Sequence, residues 1–282
     1  MSSLRKDIDI RIQPAYDYNK EKIVYAEILV RKYRGIDSVK KIIKFVKLHN
    51  LEMRFDLDIL DATLISLENK PELSFPIGVN LCPKSIEIDG AAESIIDVIE
   101  KHTVNKKAIL IEINEDTNFS SSQVAKNINK LREYGLKIVL DDFGVEKANL
   151  YSLLYIKADF LKIDKVFIDK LVEANNKNQI EILKSIKDLC DKLKLKTIVE
   201  GIEDPEQLRQ VIELGYSVIQ GFYYEKPMKI EKFFEMEDTK HGRVRKRRKA
   251  ANSRGDNKTS IRTTSNRCEI AERHDRNKSI TG

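Results

Sequence analysis

Short runs rich in β-branched residues alternate along the chain with longer stretches whose apolar positions recur every three to four residues. The runs at 8–12, 23–30, 75–81, 108–113, 136–140, 160–163, 197–199 and 218–219 read as strands. The stretches at 38–49, 54–67, 91–101, 121–134, 179–193 and 205–214 read as amphipathic helices. Pro205 directly after Asp204 has the form of a first helical residue after an N-cap, and Gly135 and Gly215 have the form of left-handed helix stops before strands. Strands alternating with helices imply a parallel sheet with right-handed crossovers. The number of strands, and the lack of a Gly-rich phosphate loop after the first, favour a closed (β/α) barrel over a doubly wound open sheet.

Several polar residues interrupt these runs or follow them directly: Glu27, Asn80, Glu112, Asp141, Asp142, Lys162, Glu200 and Gln220. In such a barrel the C-terminal strand ends converge on one mouth, so residues scattered in sequence meet in one pocket. Taken singly, each has a bland reading: a strand Glu facing solvent, a solvated Lys, an Asn in a turn. Asp164, just after a strand, reads as a helix N-cap. The recurrence of the same displacement on successive strands favours a shared site. Five acids against one lysine in a partly buried pocket call for protonation or bound cations. Carboxylate and amide oxygens suit Mg²⁺ or Mn²⁺, and the absence of histidine from the set argues against zinc. Two such ions would suit in-line attack on a phosphoryl centre.

Composition then divides the chain. Its 282 residues fit one barrel of about 250 residues plus a tail. The net charge of +6 is a mildly acidic body followed by 43 residues with 14 Lys/Arg against 4 Asp/Glu. That segment has no aromatic residue and few aliphatics, so it cannot offset the entropy of ordering. Residues 1–238 are therefore expected to form the barrel domain and 239–282 a basic, disordered tail. Without aromatic residues among its charges, the tail is not expected to bind nucleic acid. Three isolated cysteines, no apolar leader and no membrane-length apolar stretch point to a cytoplasmic protein.

The polar motifs, in order, resemble those of the EAL-domain cyclic di-GMP phosphodiesterases over about residues 8–236. They are Gln13-Pro14, Glu27-Ile28-Leu29 with Arg31, Val79-Asn80-Leu81 and Glu112-Ile113-Asn114-Glu115. Asp141-Asp142-Phe143-Gly144, Lys162-Ile163-Asp164, Glu200-Gly201-Ile202-Glu203 and Gln220-Gly221-Phe222 complete the series. The resemblance implies an α/β fold, a modified TIM-type (β/α)8 barrel with the first strand antiparallel, which amends the all-parallel expectation. It implies two divalent ions, Mg²⁺ or Mn²⁺, held by Glu27, Asn80, Glu112, Asp141 and Asp142. Glu27, Asp142, Lys162 and Glu200 would be the catalytic set. Gln13, Arg31, Gln220 and Glu203 would contact substrate, and Glu115 would anchor the loop after Gly144. The implied reaction is hydrolysis of cyclic di-GMP to linear pGpG, and a homodimer is the implied assembly. The chain departs from the family at Val145-Glu146-Lys147-Ala148, where small and hydroxyl-bearing residues are usual. That departure motivates a second reading, a catalytically weak or inactive receptor or protein-interaction module.

Overall fold

The computed structural model describes residues 7–71, 74–144, 152–171 and 177–239. The loop at 145–148 and the tail from residue 240 onward lie outside the described residues.

Eight strands close into a barrel in sequence order. They are β1 (Asp9–Asp17), β2 (Lys22–Lys32), β3 (Ile77–Leu81), β4 (Ile109–Asn114), β5 (Lys137–Phe143), β6 (Phe160–Ile163), β7 (Lys196–Val199) and β8 (Val218–Gln220). β1 runs antiparallel to both neighbours, β2 and β8, while β2 through β8 pair in parallel. The alternation of elements alone thus predicts the wrong direction for one strand, and the family resemblance predicts the right one.

β1 extends well past residue 12. Gln13-Pro14 looks like a strand terminus, yet both sit within the ladder, Gln13 opposite Glu27 and Pro14 opposite Ala26. Proline is tolerated for a local reason. Ile12 exchanges backbone hydrogen bonds with Met228 at 2.8 and 2.9 Å. Pro14, two residues on, turns its nitrogen to that same edge before pairing with β8 starts at Ala15, so no ladder donor is lost.

The helices are α1 (Val39–Leu48), α2 (Glu52–Leu67), α3 (Pro83–Ile86), α4 (Ala91–Glu100), α5 (Ser122–Tyr134), α6 (Ser152–Tyr155), α7 (Lys165–Asp169), α8 (Lys177–Leu193), α9 (Pro205–Glu213) and α10 (Ile230–Thr239). The single-turn α3, α6 and α7 are too short to show a helical period. α9 opens on a capping box between Asp204 and Gln207 with Pro205 in its first turn. Asp164 caps α7 by accepting the Val166 N–H at 2.7 Å. Gly135 ends α5 in the left-handed conformation at φ 104°.

Strand alternation divides the buried residues into two cores. Outward-facing residues such as Ile28, Val79, Ile111, Leu140, Leu161 and Val199 pack in the large core with the helices. The inward-facing residues Ala15, Tyr25, Leu110, Val139, Phe160 and Ile198 form a separate small cluster that plugs the barrel, with Val218 against it. The polar positions lie one pleat above this plug. Glu27, Glu112, Asp141, Lys162, Glu200 and Gln220 each follow a plug residue by two positions, and Gln13 precedes Ala15 by two because β1 is reversed.

Candidate metal centre

The plug gives the polar layer an apolar floor, so its side chains meet at a barrel end shut off from water below. Lys162 is the hub. It is 1% exposed, and its Nζ lies 2.7 Å from Glu112 Oε2, 2.7 Å from Glu200 Oε1, 3.1 Å from Glu27 Oε2 and 3.1 Å from Asp141 Oδ1. Burial alone would push the lysine pKa down. Asp141, Glu112, Glu200 and Glu27 outweigh that and hold it well above the ordinary lysine value. Lys162 is therefore a cation whose charge the surrounding acids share.

Four of the acids are shifted upward as well, which for them favours the neutral form. Burial lifts Glu112 to about 8, against the pull of Lys162. It lifts Asp142 to about 6, helped by the Asp141 charge alongside. Glu200 and Asp141 are also raised, first by burial. Like charges crowded over an apolar floor resist full ionisation and would be relieved by additional cations.

Amide side chains orient Glu27. Asn80 Nδ2 donates to its Oε1 at 2.9 Å and Gln220 Nε2 to its Oε2 at 2.7 Å. Register brings these partners together from three strands, with Asn80 also beside Glu112 on β4. Two overlapping groups each offer one carboxylate oxygen per residue within 4.8 Å of one another: Glu27, Glu112 and Asp141, and Asp141, Asp142 and Glu200. They share Asp141. These hard oxygen donors fit divalent cations.

Asp142 breaks the strand alternation. Its φ is 56°, in the left-handed region, its N–H donates to Asp141 Oδ1 at 2.9 Å, and the Asn114 side-chain amide donates to its Oδ2. This turn lets two adjacent carboxylates face one site instead of opposite sides of the sheet. Glu115 supports the same corner: its N–H donates to the Asp141 carbonyl at 3.1 Å, and its Oε2 accepts the Gly144 N–H at 2.9 Å.

The remaining residues singled out in the sequence lie around this layer. Gln13 is buried, and its Nε2 donates to the Glu225 carbonyl at 3.0 Å. Arg31, further along β2 from Glu27, donates to the Val30 carbonyl at 2.8 Å. Its pKa is lowered by partial burial, with the Glu27 charge opposing. Glu203 is exposed at the rim and pairs with Lys165 at 2.5 Å, outside the cluster. Three residues of the site are not conspicuous in the sequence: Asn114, Tyr25 and Gly78. All are inward positions one pleat from a conspicuous one, so strict alternation is the signal that could have found them.

A family model described as the EAL domain matches residues 2–227. The probable cyclic di-GMP phosphodiesterase PdeA of Escherichia coli K12 is 34% identical over 214 residues, covering 74% of this chain and 29% of that protein. The cyclic di-GMP phosphodiesterase PdeA of Borreliella burgdorferi B31 is 29% identical over 228 residues, covering 77% of this chain and 32% of the relative. The chain thus spans about a third or less of the length of both. The solved structure of the PaMucR phosphodiesterase in complex with c-di-GMP superposes with a TM-score of 0.70 at 24% identity, over 80% of this chain and 99% of that one. By its fold and the family model covering most of its length, this chain belongs to the EAL domain family.

Proposed function

We propose that the chain hydrolyses cyclic di-GMP to linear pGpG at a site loaded with two divalent ions, Mg²⁺ or Mn²⁺. The observation that carries this reading is the pair of carboxylate groups sharing Asp141 above an apolar plug, with Lys162 buried among them. Glu27, Asn80, Glu112 and Asp141 would hold one ion, and Asp141 and Asp142 the other. When bound, the ions supply Lewis-acid polarisation of the phosphodiester and its attacking water.

The other steps fall to the side chains. Glu200 and Lys162, 2.7 Å apart, are a proton-holding pair beside the place where water would attack. Water adds to one phosphorus, the bond from that phosphorus to the 3′ oxygen breaks, and a proton passes to the leaving oxygen. Arg31 and Gln13 would bind the substrate, Arg31 through a phosphate, and Gln220, which donates to Glu27, would help shape the same site. In this reading Glu203 turns from Lys165 toward substrate at the rim.

The names of the two curated relatives support the substrate assignment. The hydrolytic unit is residues 1–238, acting in the cytoplasm; the free thiols Cys82 and Cys190 fit a reducing compartment. Among the described residues no helix is long and apolar enough to cross a membrane. A homodimer is the assembly we propose. Titrating Mn²⁺ and cyclic di-GMP into the purified chain by calorimetry tests the reading: ion binding should precede and strengthen nucleotide binding. Nucleotide binding with no measurable ion affinity would contradict it.

A further inference from the structure

Seven strands place a side chain in the barrel plug; β3 places Gly78 there. Tyr25 of the adjoining β2 takes the space. It is fully buried, and its ring lies 6.3 Å from that of Phe160. A Cβ on residue 78 would collide with both Tyr25 Oη and Glu112 Oε1.

The missing side chain therefore lets a phenol reach from the floor to the acidic layer, where the Tyr25 hydroxyl donates to Glu112 Oε1. The other oxygen, Oε2, faces Lys162 at 2.7 Å. Glu112 is thus held at both ends, by a neutral donor from beneath and by the lysine at the level of the site. A terminal carboxylate torsion is otherwise broad and easily turned, and a buried hydroxyl needs a partner.

We propose that Tyr25 is a positioning residue that fixes the Glu112 carboxylate for divalent-ion binding, and that residue 78 is bare to admit it. With Oε1 held by Tyr25, Oε2, which faces Lys162, would be the oxygen left to meet an ion. This rests on the metal-centre reading above. Were Tyr25 only a space-filler, its hydroxyl would be dispensable, because phenylalanine keeps the ring and nearly the same volume.

Calorimetric Mn²⁺ titration of wild type, Tyr25→Phe, Gly78→Ala and the double variant tests this, with a melting curve on each. Tyr25→Phe should still melt cooperatively but bind Mn²⁺ about tenfold more weakly, as expected when a hydrogen bond behind a ligand is lost. Gly78→Ala should weaken binding in wild type, and by a smaller factor beside Tyr25→Phe, where one of the two colliding atoms is gone. If Gly78→Ala does not fold, Tyr25→Phe alone decides. Wild-type affinity in Tyr25→Phe would overturn the role of Tyr25 and leave the metal centre standing. A wild-type chain that binds no Mn²⁺ would overturn both.

Discussion

Lys162 Nζ lies 2.7 Å from Glu112 Oε2, with both side chains shut off from solvent. The lysine occupies the centre of the acids that would hold metal, so it supplies the balancing charge when no ion is present. Lys162→Met should remove that balance. Breaking a buried ion pair from one side costs about 3–5 kcal/mol, so the metal-free variant should melt well below wild type. Added Mn²⁺ should then raise its melting temperature more than that of wild type. Equal melting of the two metal-free proteins would show that the acids do not depend on this charge.

Asn114 donates to Asp142, whose backbone holds a left-handed conformation. Asn114→Ala should free that carboxylate, lowering turnover about tenfold or more with little change in melting. Steady-state kinetics alongside thermal melts separate the two effects, and unaltered turnover would remove Asn114 from the account.

Asp56 on α2 is 1% exposed and accepts the Cys82 N–H at 2.8 Å. Burial raises its pKa to about 7, with the hydrogen bond from the Cys82 N–H opposing. Because the folded chain binds this proton more tightly than the unfolded one, stability is greatest below the unfolded value of about 4. It then falls as pH rises toward 7 and levels off above, losing about 1.4 kcal/mol for each pH unit that separates the folded from the unfolded pKa. Asp56→Asn keeps an acceptor without the charge. It should melt higher than wild type at pH 8, with the difference shrinking as pH approaches 4. A difference independent of pH would mean that Asp56 does not titrate in this window.

A chain ending at Thr239 should fold and turn over substrate as the full chain does, if the barrel domain is the hydrolytic unit. Melting curves and rates on both lengths measure this. A large loss of soluble protein or of rate would give the tail a role.

Much of the architecture is legible in the sequence because two periodicities separate cleanly. β-branched runs of period two mark the strands, and their polar interruptions mark the barrel's upper layer. The antiparallel direction of β1 is not legible from periodicity, since side-chain alternation is the same in either direction. Its full length is hidden by Gln13-Pro14, which imitates a terminus although both residues pair with β2 and the Pro14 nitrogen faces the other edge, before pairing with β8 begins. Lys162 and Glu112 are visible as charges in apolar runs. Tyr25 is hidden because an aromatic in a strand looks like ordinary core, and Gly78 because what matters there is a missing side chain. Glu203 shows the converse: its motif is conspicuous, yet its side chain stands at the rim paired with Lys165. The sequence change at 145–148 lies beside Gly144, whose N–H Glu115 still holds.

The central claim is hydrolysis by an ion-loaded carboxylate cluster, and product formation tests it most directly. Purified chain incubated with cyclic di-GMP should yield linear pGpG when Mn²⁺ or Mg²⁺ is present and none after chelation, with Glu27→Ala inactive under both conditions. Tight cyclic di-GMP binding with no pGpG formed by the metal-loaded wild type would contradict it.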